Sequence, residues 1–331
     1  MIDPESPSFG RVGIFLGGRS RERAISLKSG RAIHQALKEV GLDVVLIDTA
    51  NGFISRIKKA PIDIAFPALH GTGGEDGTIQ RILEKARIPY VGSAPKASAL
   101  AFDKFRAKQA FRRFNIPTPP YELLTRKNWK RIVQKWNPPY VIKPVSEGSS
   151  IGIFFVERRG SGLAKIQLSF RKYPQLLIEK KIGGREFTVG ILDEVPLPVI
   201  ELKPKRKFYD FKAKYTKGLT EYLIPAPISR ELSERLKAIA LKAHRTLGLR
   251  DLSRVDIKVD SGGQPFVLEV NSIPGFTETS LLPKAARETG LDFTALCLKL
   301  VELAYQRKKL KDHQDAKAPN VSVERQIFAS I

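Results

Sequence analysis

Residues 254–281 read RVDIKVDSGGQPFVLEVNSIPGFTETSL. Two runs that alternate between apolar and polar residues, 254–260 and 266–271, are separated by a short loop that contains two glycines. Alternation on both sides of a glycine-containing loop is typical of a β-hairpin. The stretch therefore predicts two paired antiparallel strands, then a loop rich in Pro, Gly and hydroxyl residues, and a helix from about Leu281.

The alternation also sorts the hairpin residues by face, because successive side chains of a strand point to opposite sides of the sheet. One face of each strand is apolar and is predicted to lie in the core. The predicted core residues are Val255, Ile257, Val259, Phe266, Leu268 and Val270. The opposite face is predicted to carry a polar cluster of Arg254, Asp256, Glu269 and Asn271.

Two carboxylates and an amide oxygen suit Mg²⁺, which takes oxygen ligands and completes its coordination with water and substrate phosphates. Arg254 beside such a metal would contact an anionic group or a developing oxyanion. The alternative is a solvent-exposed hairpin face on which the charges pair with one another, and spacing alone leaves both readings open. The loop 272–280 favours the first interpretation, a binding site, because its backbone N–H groups could bind the carboxylate of a ligand.

The chain has 331 residues, of which 42% are apolar, and its mean hydropathy is −0.20. These values indicate a soluble globular protein of two or three domains. No apolar run is long enough to span a bilayer, and the start MIDPESPSFGR lacks the segments of a signal peptide, so we expect a cytoplasmic protein without membrane insertion. The single cysteine, Cys297, is predicted to be a small buried residue rather than a catalytic thiol.

The formal net charge of +23 would by itself suggest nucleic acid or an anionic substrate as partner. The alternative is that the basic residues are spread over a solvent-exposed surface and bind no particular partner. Part of the excess is local, with clusters at 203–217 and 307–311. The sequence contains no zinc-finger spacing, RNP-type aromatic motif or heptad zipper, so nucleic-acid binding would depend on charge alone and is not expected.

The first third of the chain predicts a βαβ unit of a parallel sheet, with strands at 11–16 and 43–48 around a helix at about 21–40. A third predicted strand, 62–69, runs into a glycine-rich loop that matches neither a Walker A sequence nor a dinucleotide fingerprint. Ligands usually bind at the carboxyl ends of such strands, although turn glycines and capping acids also explain these loops. The candidate ligands at the strand ends are Glu22, His70 and Glu75.

Lys143 ends a predicted strand at 139–143 and precedes a turn, 146–152, that is rich in Ser and Gly. Successive backbone N–H groups of such a turn can hold phosphate oxygens, although a plain hairpin turn explains it equally well. The aromatic and basic segment 208–215, FYDFKAKY, is a candidate lid. Further helices are predicted at 97–114, 161–172, 230–247 and 294–309, and further strands at 121–124, 153–156, 176–180 and 185–192.

His244, in the helix predicted at 230–247, is predicted to be a surface or capping residue rather than a ligand. Residues after 311 show little periodicity and are predicted to form a loosely held tail.

Nine segments, in order along the chain, resemble the D-alanine:D-alanine ligase family of ATP-grasp enzymes. The resemblance implies a mixed α/β (α+β) ATP-grasp fold with an N-terminal Rossmann-like domain of parallel sheet. It implies domains at 1–93, 94–184 and 185–310, followed by a flexible basic tail at 311–331. The segments are GGRSRERAISLKSG, ALHGTGGEDGTIQ, PYVGS, DKFRAK, VIKPVSEGSSIG, LLIEKKIGGREFTV, FYDFKAKY, RVDIKV and FVLEVNSIPGFTETSLLP.

The activity that the resemblance implies is ATP-dependent ligation of two D-alanines through an acyl phosphate, for peptidoglycan precursor synthesis. The resemblance also implies a homodimer. The implied metal is Mg²⁺, as two ions, with Mn²⁺ as a substitute, held by Asp256, Glu269 and Asn271. The implied ATP-binding residues are Lys104, Lys143, Ser150, Glu179, Lys180, Ile182, Glu186 and Lys214. The implied catalytic residues are Glu22, Ser149, Tyr215, Arg254, Gly275 and Ser280.

D-Alanine binding is implied for Glu22, His70, Glu75, Ser280 and Leu281, with Glu22 holding the ammonium group of the first D-alanine. Ser149 and Tyr215 would extend a hydrogen-bonded link from Glu22, and Tyr215 would favour the dipeptide over an ester with D-lactate. Two positions depart from the family pattern, Ala24 in place of an acid and Ser253 in place of glycine. Ligation of another amino or hydroxy acid pair, and a non-catalytic basic scaffold that binds nucleic acid, are the alternative functions.

Overall fold

The computed structural model describes residues 9–59, 61–205 and 218–317. Its first sheet is parallel, as predicted, with β1 in the centre and the order β2-β1-β3. Gly30 lies where the following helix crosses β1, and a Cβ there would stand 2.6 Å from Leu16 Cβ, so glycine is required for this close packing. The strands are β1 (Val12–Leu16), β2 (Val44–Asp48) and β3 (Ile64–Pro67), and the helices are α1 (Arg23–Glu39), α2 (Phe53–Lys59) and α3 (Thr78–Lys85).

The second sheet is antiparallel and has the order β4-β7-β5-β6. Apolar residues of two short helices pack on one of its faces, and this core includes Ile132, Ile166 and Ile178. Lys143 and Glu179 lie on the opposite face of this sheet. The elements are β4 (Tyr121–Thr125), α6 (Trp129–Lys135), β5 (Tyr140–Pro144), β6 (Phe154–Val156), α7 (Leu163–Ser169) and β7 (Gln175–Lys180).

The third sheet has the order β11-β10-β8-β12-β13, with β9 paired to β8. It contains the predicted hairpin as its last two strands. The strands are β8 (Arg185–Leu192), β9 (Val195–Pro196), β10 (Ile200–Pro204), β11 (Thr220–Leu223), β12 (Leu252–Val259) and β13 (Pro265–Asn271). The helices packed around it are α4 (Pro95–Phe102), α5 (Lys104–Arg113), α8 (Arg230–Thr246), α9 (Leu281–Arg287) and α10 (Phe293–Lys317).

The face prediction for β13 is wrong at two residues, because the pairing of the hairpin contains a bulge. Asp256 pairs with Glu269, whereas the next residue of β12 pairs with Val267, so Leu268 is an extra residue in β13. A bulge shifts every side chain beyond it to the other face. Val267 therefore joins Val270 in the core, while Phe266 lies opposite Lys258 on the polar side.

Two helix predictions also change. The helical pattern at 97–114 is broken at Asp103, whose extended backbone ends α4 and whose carboxylate accepts a hydrogen bond from Arg106 N at 3.0 Å, which caps α5. The last helix, α10, continues to Lys317, so residues 311–317 of the predicted tail are helical.

His244 is not at the surface as predicted. It is fully buried, and its Nδ1 lies 2.8 Å from Ser253 Oγ. Cys297 is buried, as predicted.

The first sheet and the last two helices share one apolar core. Ile33 and Leu37 of α1 pack in the same cluster as Leu296 and Leu300 of α10. Arg307, also on α10, contacts Asp251 and donates to Tyr90 O at 2.8 Å. These contacts join α10 to the segment after α3 and to the start of β12. Within the described ranges, no helix is long and apolar enough to cross a membrane.

Candidate active site

The polar cluster predicted on the hairpin is assembled in the structure. Arg254 lies opposite Asn271, and Asp256 lies opposite Glu269. Arg254 donates two hydrogen bonds to Asp256, from Nε at 2.9 Å and from a terminal nitrogen at 2.8 Å. Thr188, on the neighbouring strand β8, donates to Asp256 Oδ1 at 2.7 Å. Asp256 is thus held rigidly from two sides.

The donor set of this cluster fits Mg²⁺. Asn271 Nδ2 lies 3.3 Å from Asp256 Oδ2, which brings the amide beside the two carboxylates. Among the described residues no group of three or more His, Cys, Asp or Glu side chains could hold a metal ion, so a site here needs the amide oxygen as well. One or two carboxylates, with water and phosphate oxygens in the remaining positions, is the usual protein environment of Mg²⁺.

Two lysines that the family resemblance assigns to ATP binding, Lys104 and Lys143, pair with buried or half-buried carboxylates, and Lys104 contacts this cluster. Lys104 Nζ is 3.4 Å from Glu269 Oε2 and donates to Glu147 O at 2.6 Å. Lys143 Nζ donates to Glu179 Oε1 at 3.0 Å.

Lys108 belongs to the same network, although the sequence analysis did not single it out. Its ammonium lies 2.7 Å from Glu179 Oε2, and its side chain is fully buried. The available signal was its spacing: Lys108 follows Lys104 by four residues and therefore lies on the same face of α5.

The remaining predicted nucleotide residues follow along β7 and β8. Glu186 Oε2 is 3.2 Å from Lys258 Nζ on β12. Lys180 donates its backbone N–H to Pro120 O at 2.9 Å, and Ile182 lies in the connection between β7 and β8. Lys214 and Tyr215 lie outside the described residues.

The loop after β5 contacts the segment that precedes α1. Ser149 Oγ donates to Glu22 Oε1, which lies just before α1. Ser149 and Ser150 both have left-handed backbones, with φ of 50° and 59°, a conformation that non-glycine residues adopt at a cost. At Gly148 a Cβ would stand 2.7 Å from Glu22 Oε2, so glycine lets the loop lie directly against this carboxylate in its present position.

A cavity of about 460 Å³ connects these parts. It is lined by residues that follow strands of the first sheet, by residues of the Ser- and Gly-rich loop 146–152 after β5 (the phosphate loop), and by the segment after β13. Lys28 and Tyr222 also line it, and the sequence analysis gave neither a role. The predicted site residues that line it are Glu22, His70, Glu75, Ser149, Arg254, Asn271, Gly275, Ser280 and Leu281.

His70 is held as a neutral imidazole. Its Nδ1 lies 3.2 Å from Ile273 O, which can only accept, so Nδ1 carries the proton. Nε2 then accepts from Ser29 Oγ at 3.3 Å. Burial, and to a smaller extent the positive charge of Arg254, lowers the pKa of His70 to about 4.

Glu75 is the neighbouring buried acid, and its Oε2 accepts a hydrogen bond from Gly71 N at 2.8 Å. Burial and the nearby carboxylate of Glu22 raise the pKa of Glu75 to about 8. At neutral pH the Glu75 carboxyl is therefore mainly protonated.

The loop after β13 is fixed by its own hydroxyl groups. Ser280 Oγ accepts from Thr277 N at 3.0 Å and lies 2.9 Å from Thr277 Oγ1. A Cβ at Gly275 would stand 3.4 Å from Ser280 Oγ, so the two residues are close neighbours at the cavity wall. Leu281 begins α9 at this point.

Two protein-family models match the chain. The model described as D-ala D-ala ligase N-terminus covers residues 48–93, and the one described as D-ala D-ala ligase C-terminus covers residues 110–302. The D-alanine–D-alanine ligase of Pelotomaculum thermopropionicum is 43% identical over 308 residues, which cover 89% of this chain and 97% of that protein.

Solved structures agree with the sequence relatives. The D-alanine–D-alanine ligase from Bacillus anthracis complexed with ATP matches with a TM-score of 0.80 and 32% identity, over 91% of this chain and 99% of that one. The VanG D-Ala:D-Ser ligase from Enterococcus faecalis matches with a TM-score of 0.77 and 29% identity, over 89% and 99%. The predicted fold class is confirmed, and the chain belongs to the D-alanine–D-alanine ligase family, with its ATP-grasp fold.

Proposed function

We propose that this protein uses ATP to join two D-alanines into D-alanyl-D-alanine, for peptidoglycan precursor synthesis. The observation that carries the proposal is the cavity that Glu22, Arg254 and Asn271 line together. Its walls offer an acid for an ammonium group and a guanidinium for a developing oxyanion, and the carboxylates of Asp256 and Glu269 lie beside Asn271 as oxygen donors for a phosphate-bound cation. The names of the relatives favour the dipeptide over other amino or hydroxy acid pairs.

In the first step a carboxylate oxygen of the first D-alanine attacks the γ-phosphorus of ATP. The bond to the bridging oxygen of ADP breaks, and an acyl phosphate forms. We assign Glu22 to the ammonium group of this D-alanine, because its carboxylate lines the cavity and is fixed by Ser149. Lys104, which contacts Glu269, and Lys143, which contacts Glu179, would attract the transferred phosphoryl oxygens as point charges.

In the second step the amine of the second D-alanine attacks the carbonyl carbon of the acyl phosphate. Negative charge then develops on the carbonyl oxygen, and Arg254 with the backbone N–H of Gly275 would stabilise it. Phosphate leaves, and the nitrogen loses its proton to give the amide. Ser280 and Leu281 at the start of α9 would receive the carboxylate of the second D-alanine.

Asp256, Glu269 and Asn271 would hold Mg²⁺, which would neutralise the charge of the ATP phosphates. We further assign Glu179, Lys180, Ile182 and Glu186 to the adenosine part of ATP, and Ser150 to the phosphate loop. Lys214 and Tyr215 are assigned from the family resemblance alone.

The organisation of the protein is proposed on the same resemblance. We propose domain boundaries near residues 93, 184 and 310, a homodimer, and a location in the cytoplasm. The first two boundaries fall between the three sheets, which lie within 12–67, 121–180 and 185–271. Light scattering of the purified protein tests the dimer.

The activity is tested by ADP release from purified protein with Mg²⁺, ATP and one amino acid at a time, followed by mass analysis of the products. D-Alanine should support ADP release and yield the dipeptide, whereas L-alanine should not. Mixtures of D-alanine with D-lactate or D-serine should still yield mainly D-alanyl-D-alanine. ADP release without any D-alanyl product would contradict the proposal.

A further inference from the structure

We propose that Lys108 is a positioning residue that fixes the carboxylate of Glu179 as a hydrogen-bond acceptor, and that this selects a 6-amino purine over a 6-oxo purine in the nucleotide. The inference rests on the proposed function, in which Glu179 faces the adenine of ATP. It concerns a residue that none of the assignments above uses.

The first observation is the way in which the ammonium group of Lys108 is held. Its Nζ lies 2.7 Å from Glu179 Oε2 and donates to Thr118 Oγ1 at 2.5 Å. Thr118 Oγ1 in turn donates to Val267 O at 2.8 Å. Lys108 therefore links four parts of the chain: α5, β7, β13 and the connection that precedes β4. Its ammonium group has one fixed position.

The second observation is that each oxygen of Glu179 has its own ammonium partner. Lys143 contacts Oε1 at 3.0 Å, and Lys108 contacts Oε2. Burial acts to raise the pKa of Glu179, but the ammonium groups of Lys108 and then Lys143 lower it overall. If Lys143 turns towards the nucleotide, as its assigned role requires, Lys108 remains to keep the carboxylate ionised.

An ionised carboxylate can only accept hydrogen bonds. The exocyclic amino group of adenine donates, so it satisfies Glu179. The 6-oxo group of hypoxanthine or guanine is also an acceptor, and its oxygen would face a carboxylate in a buried site, which is unfavourable. Base preference therefore depends on the charge and orientation of Glu179, which Lys108 controls.

A purely structural role is a weaker explanation for Lys108. Burial lowers the pKa of Lys108 to about 8, so holding the protonated side chain in this place costs free energy at neutral pH. An apolar residue of similar volume would pack without that cost. An ammonium at this position is explained by the carboxylate that it holds.

The test compares ATP with inosine triphosphate, which differs at the 6-position of the purine, in the full-length protein with saturating D-alanine. The wild type should prefer ATP by at least about tenfold in kcat/KM, the size of one good hydrogen bond to a charged group. Lys108→Met should raise the KM for ATP about tenfold and leave kcat within about threefold. Because the KM for inosine triphosphate should change little, the preference should nearly disappear.

Two further variants complete the test. Glu179→Gln offers an amide that can donate, so it should shift the preference towards inosine triphosphate. If Lys108→Met does not fold, Thr118→Val, which removes one contact of the ammonium, should lower the preference at least about threefold. Lys130→Met, an exposed lysine on α6, is the matched control and should change neither KM.

An unchanged ratio in Lys108→Met, or in Thr118→Val if that variant is needed, would overturn the inference, as would a wild type without base preference. Binding of the two nucleotides is also measured by calorimetry without D-alanine. If D-alanine does not stimulate ADP release but Lys108 still controls the binding preference, the proposed function fails and the inference stands.

Discussion

Ser149 Oγ donates a hydrogen bond to Glu22 Oε1, and this contact joins two segments that lie 127 residues apart in the chain. It connects the loop after β5 to the start of α1 across the cavity. The loop has left-handed backbones at Ser149 and Ser150 and therefore needs such a contact to keep its shape. One hydrogen bond therefore fixes both the loop and the carboxylate of Glu22.

Ser149→Ala should lower kcat/KM for D-alanine by about tenfold to a hundredfold, because both the loop and Glu22 lose their common hydrogen bond. The change should be largest in the KM for the first D-alanine. Steady-state kinetics at varied D-alanine measures it. Ser146→Ala, at an exposed position in the same loop, is the control and should behave as the wild type. Equal effects of the two substitutions would contradict the role of the contact.

Arg254→Lys should lower kcat about a hundredfold and change the ATP KM much less, since a lysine keeps the charge but lacks the fork that faces Asp256 and the oxyanion. Single-turnover ADP formation would show whether the first or the second step is slowed, and we expect the second. Arg235→Lys is the matched control, because Arg235 contacts Gln264 in the exposed loop of the same hairpin. Near-normal turnover by Arg254→Lys would remove Arg254 from the mechanism.

Asp256→Asn should increase the Mg²⁺ concentration required for half-maximal activity by at least about tenfold, since one of two anionic donors is lost. A Mg²⁺ titration at fixed ATP measures this, and Mg²⁺-dependent ATP binding gives a second measurement without turnover. Glu278→Gln, at an exposed acid in the loop after β13, should leave the titration unchanged. If Asp256→Asn lowers kcat without moving the Mg²⁺ requirement, the carboxylate orients Arg254 instead.

His70 should make the free energy of unfolding depend on pH. Its pKa is about 4 in the folded protein and near 6.5 when unfolded, so between these values the unfolded chain binds more protons. Its contribution to stability is complete above pH 6.5 and is lost as the pH falls towards 4. Between pH 7 and pH 5 the loss should be about 2 kcal/mol.

Urea unfolding of the wild type and of His70→Gln at both pH values isolates this contribution, because glutamine can donate to Ile273 O but does not titrate. The wild type should lose more stability than the variant on acidification. Parallel losses in the two proteins would show that His70 is not held in its neutral form.

Much of the candidate site could be read from the sequence because it depends on local order. Asp256, Glu269 and Asn271 come together through the alternation of two strands joined by a short loop, and neighbouring strands pair whatever the rest of the chain does. The parallel order of the first sheet follows from the same kind of local pattern. Glu22, His70 and Glu75 stand at strand ends, where a parallel sheet brings them to one edge.

What the sequence by itself determined, then, is most of the elements, most of their faces and the chemistry of the residues at their ends. The tertiary structure decided where the alternating pattern of a strand is interrupted and which partner each buried polar side chain contacts. Because of the bulge at Leu268, Val267 lies in the core where Phe266 was predicted. The bulge arises from pairing between strands rather than from composition. His244 and Lys108 are buried because their partners, Ser253 and Glu179, come from other elements. A polar group can be buried only where a partner satisfies it, and the partner's position is a property of the folded chain.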